Sequence, residues 1–184
     1  MGRITPKSDG TAKGTSGADT IIGSSLSNVF AGMGGSDSLR GGGGVDLIDG
    51  GSGNDRIYGD SGNDALAGGL GRDTLYGGSG SDFFAFDVKP TNSTADTIAD
   101  FSVKYDTIIL DKSIFKVAAT SEGIMSSGAF WRGSKAHDAD DRIIYDKSAG
   151  VLYYDPDGTG AKAAIQFAKL SKNLALTYKD FLIF

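Results

Sequence analysis

The chain has no cysteine, three prolines, one histidine, one tryptophan and, among 23 acidic residues, a single glutamate, Glu122. The missing cysteines exclude disulfides and thiolate metal centres, although a bound ion can staple a small exported domain as a disulfide does. An acid supply that is almost all aspartate disfavours long helices, because the short carboxylate suits turns and caps. No stretch approaches 18 consecutive apolar residues, so no membrane-spanning helix is expected. Residues 1–13, MGRITPKSDGTAK, lack the apolar run of a Sec-type signal, and Pro6 stands where a myristoylation motif needs Ser or Thr. They read as a disordered leader or linker. A net charge of −5 argues against nucleic acid or an anionic membrane as a partner. No nucleophile elbow, phosphate loop, dinucleotide fingerprint or HExxH pattern occurs, so no enzyme activity is expected. His137 has no partner at ligand spacing and reads as a loop histidine.

Glycine is abundant, and it is periodic. Residues 14–85 divide without insertion into eight nonapeptides: GTSGADTII, GSSLSNVFA, GMGGSDSLR, GGGGVDLID, GGSGNDRIY, GDSGNDALA, GGLGRDTLY and GGSGSDFFA. The sixth residue is an acid or its amide: Asp19, Asn28, Asp37, Asp46, Asp55, Asp64, Asp73 and Asp82. The eighth is always apolar: Ile21, Phe30, Leu39, Ile48, Ile57, Leu66, Leu75 and Phe84. Each unit therefore predicts a glycine turn followed by a three-residue strand whose middle side chain points inward. Such a strand cannot stand alone. Two nonapeptides per coil predict a right-handed parallel β-roll, an all-β fold in which copies stack every 18 residues. The acids then form two ladders with rungs about 4.8 Å apart. Carboxylates that close repel one another, and a divalent cation between rungs turns repulsion into coordination.

The pattern resembles the RTX, or haemolysin-type, calcium-binding repeat GGxGxDxUx. The resemblance implies a β-roll holding several Ca2+ ions between coils. It also implies ligands from the carbonyls of positions two and four of one turn, positions one and three of the turn a coil later, and both aspartates. Carried over, one site uses Met33, Gly35 and Asp37 with Gly50, Ser52 and Asp55. The next uses Gly42, Gly44 and Asp46 with Gly59, Ser61 and Asp64. Gly51, Gly53 and Asp55 then join Gly68, Leu70 and Asp73, and Asp60, Gly62 and Asp64 join Gly77, Ser79 and Asp82. An Asp19/Asp37 site adds Gly32 and Gly34. The second repeat departs from the pattern, with Leu26 for the fourth glycine and Asn28 for the aspartate, as a closing terminal coil does. Without calcium the array is expected to be disordered, because one apolar side chain per nonapeptide is too little to offset the ordering of so glycine-rich a chain.

The repeat region, 14–87, is followed by a segment at 88–184 read as an antiparallel β cap. KPTNST reads as a turn, ADTIADFSVKYDTIIL as two strands around a turn with Ile98, Phe101, Ile108 and Leu110 in the core, and KSIF as a helical turn. The second of these stretches resembles the segment after the repeats in serralysin-type exported proteins. There its aspartates hold a last calcium, which implies a closing site of Asp82, Asp100 and Asp106; plain turn carboxylates are the alternative. RIIYD, VLYYD and AAIQFA read as a meander. The loop Asp155-Pro156-Asp157-Gly158-Thr159-Gly160 begins like an EF-hand, but Gln166 stands where the bidentate Glu belongs, and a hairpin turn is the better reading. The end at 178–184, with Asp180, Phe181, Leu182, Ile183 and Phe184, resembles the terminal signal of type I secretion substrates, and reads equally as a final strand.

The resulting expectation is a monomeric calcium-binding module, secreted by a Gram-negative type I apparatus, that folds in extracellular calcium. Two other readings stand beside it. One is an adhesin or polysaccharide-binding module using Tyr58, Tyr76 and Arg56 or Arg72. The other is the tail of a larger exoenzyme such as a protease, lipase, glycanase or epimerase.

Overall fold

The computed structural model of the chain describes residues 2–91 and 94–184; part of the KPTNST turn lies outside the described residues. In chain order the first strands are β1 (Gly2–Ile4), β2 (Thr11–Lys13), β3 (Asp19–Ile22), β4 (Val29–Ala31), β5 (Ser38–Gly43) and β6 (Leu47–Asp49). There follow β7 (Arg56–Ser61), β8 (Ala65–Ala67), β9 (Thr74–Ser79), β10 (Phe83–Phe86), β11 (Asp96–Ile98) and β12 (Thr107–Leu110). Odd strands enter one sheet and even strands the other. Pairing is parallel and in phase: Ser38 lies beside Arg56 and Arg56 beside Thr74 in one sheet, Leu47 beside Ala65 and Ala65 beside Phe83 in the other. A shift by one residue would turn the eighth-position side chains out to solvent, so the hydrophobic pattern holds this register. All eight of those side chains are 0–1% exposed, which makes the core of the roll a single file between two narrow sheets.

Residues 2–13 correct the expectation of disorder. β1 pairs with β3, β2 pairs with β4, and Ala12 enters the core file opposite Phe30. Strand addition uses backbone N–H and C=O groups that every sequence supplies, and the turn into β2 carries Gly10 at φ 79° without any sixth-position acid.

ADTIADFSVKYDTIIL forms its two strands, but they do not pair with each other. β11 joins β9 and β12 joins β10, both in parallel, so the segment is one more coil with longer turns. Ile98, Phe101, Ile108 and Leu110 are all buried. KSIF is the short helix α1 (Lys112–Phe115), capped by the Asp111 carboxylate, which accepts from the Ser113 N–H. The remaining strands are β13 (Phe130–Arg132), β14 (Ile143–Asp146), β15 (Val151–Tyr154), β16 (Ile165–Lys169) and β17 (Phe181–Ile183). β14, β15 and β16 form the antiparallel meander. The cap is otherwise parallel where it grows out of the roll, with β16 beside β11 and β17 beside β12. Phe115, Tyr154, Phe167 and Phe86 meet edge to face and join the cap core to the roll core. Among the described residues no helix is long and apolar enough to cross a membrane.

Candidate metal centre

Each glycine turn delivers its sixth residue to the start of a strand, at the edge of the core. The sixth-position residues from Asp19 to Asp82 are 0–3% exposed, far more buried than turn carboxylates that only solubilise a surface. Within a ladder the main chain fixes one oxygen of each. The N–H of Asp37 donates to Oδ1 of Asp55, and that of Asp55 to Oδ1 of Asp73, both at 2.7 Å. Asp46 donates to Asp64 at 2.8 Å and Asp64 to Asp82 at 2.9 Å. The other oxygen is left over. Oδ2 of Asp37, Asp46, Asp55, Asp64, Asp73 and Asp82 is shut off from water and has no hydrogen-bond partner among the described residues. A buried anionic oxygen without a donor is among the costliest features a fold can hold, and six in register point to one missing partner type.

The surroundings fit a hard cation. A Cβ at Gly59 would strike Oδ2 of Asp64 and lie 2.6 Å from the carbonyl oxygen of Gly77; one at Gly50 would meet Oδ2 of Asp55 and the Gly68 carbonyl in the same way. The first-position glycine thus leaves a cradle where a carboxylate and a turn carbonyl of the next coil converge. Gly32 does the same for Asp37 and Gly50. Of the second-position carbonyls, that of Met33 accepts from the Ser52 N–H at 2.9 Å and from the Ser52 hydroxyl at 3.3 Å. Met33 and Asp60 hold a left-handed backbone, φ 78° and 72°, which keeps their turns in step with the glycine-bearing ones. The Asp60 side chain is drawn away to an ion pair with Arg40, so only its carbonyl belongs to the turn. The donor set is all oxygen, with flexible carbonyls among it, which suits calcium rather than magnesium or zinc.

The two ends of the ladders differ. Oδ2 of Asp19 accepts from the Thr15 N–H at 2.7 Å and the Thr15 hydroxyl at 2.8 Å, and Oδ1 of Asn28 accepts from the Ser24 N–H at 2.9 Å. The first coil is therefore satisfied by its own turn. At the other end Asp106 accepts from Asp82 and Ser102, and Asp100 accepts from Gly77 and Gly78. The structure brings Asp82, Asp100 and Asp106 together, with Asp100 and Asp106 held by amides. Asp96 went unnoticed in the sequence: its Oδ1 accepts from the Asp73 N–H at 2.9 Å, making it the next rung of the first ladder. The signal was there, since Asp96-Thr97-Ile98 repeats Asp19-Thr20-Ile21.

Burial, and then the like charges of adjacent rungs, push Asp55 and Asp82 up to about 6. Asp73 and Asp96 face one another, and burial followed by the Asp73 charge raises Asp96 to about 8. Each folded value lies above the ordinary 3.8, so protonation of these groups contributes stability that is full below about pH 4 and lost as pH rises through about 6 to 8. In a chelator, far-UV circular dichroism is therefore expected to show more β-structure at about pH 4.5 than at about pH 7.5. A flat or falling β-signal on acidification would rule out protons as partial substitutes for the ion.

Other candidate residues are placed differently. Tyr58 and Tyr76 stack on each other at 4.7 Å, so each ring covers one face of its neighbour, and Arg40 lies over Tyr58. His137 is exposed beside Asp138 and Asp141, and stacks on Trp131. Asp180 closes a capping box with Thr177; Phe181 and Ile183 are buried in β17, and Phe184 is exposed.

A nonapeptide period and a stack of partnerless carboxylate oxygens facing turn carbonyls define a calcium-binding β-roll. Residues 9–25, 13–48, 22–57 and 58–87 match the RTX calcium-binding nonapeptide repeat, in four copies. The repeat region is similar to that family over residues 9–87, and its row of buried carboxylate oxygens fits several calcium ions. No curated protein matches the chain. Among solved structures, the chain is similar to the solution structure of the AlgE6R3 subunit from the Azotobacter vinelandii mannuronan C5-epimerase. The identity is 22%, the match covers 92% of this chain and 80% of that one, and the TM-score is 0.47.

Proposed function

We propose that the chain is the calcium-triggered folding and export module of an extracellular protein, leaving a Gram-negative cell unfolded through a type I apparatus and folding outside. The observation that supports this most is the row of six buried Oδ2 atoms without donors. In a cytosol poor in calcium those carboxylates favour an unfolded chain, where water solvates them. In extracellular calcium the same carboxylates become ligands, and binding is coupled to folding. The chain's own contribution is positional: N–H to Oδ1 bonds aim each carboxylate, glycines clear the cradle, and the core file holds the coils in phase. Calcium supplies the positive charge between rungs.

The test of export is removal of Asp180 to Phe184. In the folded cap these residues include β17, which pairs with β12. A chain that passes the exporter unfolded does not need that strand in order to leave, so a folding defect cannot account for lost export. Deletion is expected to abolish secretion through a type I exporter; because it also takes Phe181 and Ile183 out of the cap core, the refolded truncated chain is expected to need more calcium to fold. Undiminished export of the truncated chain would remove the secretion reading and leave calcium binding untouched.

A further inference from the structure

The formal charge of −5 counts acids that the fold hides. Eleven of the 23 acidic residues are buried, nine of them as rungs of the ladders and two, Asp141 and Asp155, in the cap. No lysine or arginine is buried among the described residues, so at the surface eighteen basic residues outnumber twelve acids by six. With calcium neutralising the rungs, the protein meets its surroundings as a cation. The excess has a place. On the outer face of the ten-stranded sheet, Arg3, Arg56 and Lys169 stand in one row across the strands. Thr20 and Ser38 separate the first two, and Thr74 and Thr97 the last two. Each gap of three strand spacings is about 14 Å. All three cations are exposed, and none forms an ion pair among the described residues. The neighbouring row, Ile22, Arg40, Tyr58 and Tyr76, adds two phenols and no acid. Asp60, the next outward residue along β7, is tied to Arg40. The other sheet presents Val29, Leu47, Ala65 and Phe83 at its seventh positions, so the cationic row belongs to one face of the roll.

We propose that this face binds an acidic polysaccharide, and that calcium makes it available by folding the roll and cancelling its inner charge. The spacing selects a polymer of sparse charge. A nucleic-acid duplex carries one negative charge per about 1.7 Å of its axis and is held by dense basic patches, whereas these cations stand about 14 Å apart. The residues between them are hydroxyls, which donate and accept hydrogen bonds as sugar hydroxyls do. Apart from Ile22, the two rows hold no large aliphatic side chain that would enter a bilayer. Arg3 and Lys169, at opposite ends of the chain, thus join Arg56, Tyr58 and Tyr76 on a surface that exists only when the coils are stacked.

The experiment titrates the full, calcium-loaded chain with carboxymethyl-dextran, unmodified dextran and double-stranded DNA by calorimetry, with far-UV circular dichroism on the same samples. Carboxymethyl-dextran is expected to bind, more weakly as salt rises, and dextran is not. Combining Arg3→Gln, Arg56→Gln and Lys169→Gln is expected to lower the affinity on the order of tenfold, since three exposed charge pairs are lost. Combining Lys13→Gln, Lys104→Gln and Lys112→Gln removes the same charge away from this face, and is expected to change the affinity by about twofold at most. All six side chains are exposed, and unchanged far-UV spectra certify the fold. Equal losses in the two variants would overturn the face and leave only net charge. Equal binding of dextran, or tighter binding of DNA than of carboxymethyl-dextran, would overturn the ligand class, and no binding at all would overturn both. In chelator, binding is expected to vanish with the β-signal; binding that persists there would overturn the control by calcium. A chain that keeps its β-structure in chelator would count against calcium-triggered folding, and the contrast between the two variants would still decide this face.

Discussion

Chelating calcium at neutral pH is expected to convert residues 14–87 from β-structure to disorder, and restoring it to refold them steeply over roughly the 10⁻⁴–10⁻³ M range usual for extracellular calcium modules. The core explains why the ion is needed. One buried side chain per nonapeptide, Ile21 to Phe84, is a thin file against the ordering cost of a glycine-rich chain, and the fold adds six buried carboxylate oxygens without donors. Steepness follows from the ladder. Asp55 and Asp64 each stand between two rungs, so filling one position prepares half the ligands of the next, and nearest-neighbour coupling of this kind makes an array fold cooperatively. The cap is the nucleus, because β11 and β12 continue both sheets out of a conventional core that contains Phe115, Phe167 and Tyr154. Far-UV circular dichroism during a calcium titration, with and without residues 88–184, measures both effects. Full β-content in chelator, or equal folding by magnesium, would reduce the roll to a passive scaffold.

The second large effect is positional. Asp55→Ala is expected to raise the calcium midpoint of folding by roughly tenfold or more, and Asp19→Ala by about twofold at most. Asp55 contributes the acceptor for the Asp37 N–H and an Oδ2 that faces the next coil. Removing it leaves two ion positions short of a ligand and frees the carboxylates on either side to repel. Asp19 has spent its Oδ2 on Thr15. Charge-assisted hydrogen bonds contribute about 1.5–3 kcal/mol each, enough to set the expected separation between the two variants. Equal midpoints would contradict the sharing of ions between neighbouring rungs.

Much of this was legible before any coordinates. The ninefold period placed the turns, the inward side chains and the two carboxylate ladders, and these need only the alternation of a strand and the repetition of a turn. The cap was legible where short apolar runs end in turn residues, as in Ile143–Asp146 and Val151–Tyr154, although these strands are buried on both faces rather than alternately. Asp96 and Asp106 lie 23 and 24 residues from the rungs they extend, so an 18-residue count passed over the first and assigned the second only through its resemblance.

The sequence by itself determined that this chain stacks, where its core runs and which cation its turns suit, because a local motif repeated in phase leaves one way to bury eight apolar residues and neutralise the acids beside them. The tertiary structure alone decided that residues 2–13 extend both sheets, and that one oxygen of each rung from Asp37 to Asp82 is tied to the main chain and the other left without a donor. These depend on backbone groups, which are the same in every residue and leave no periodic trace in the order of side chains.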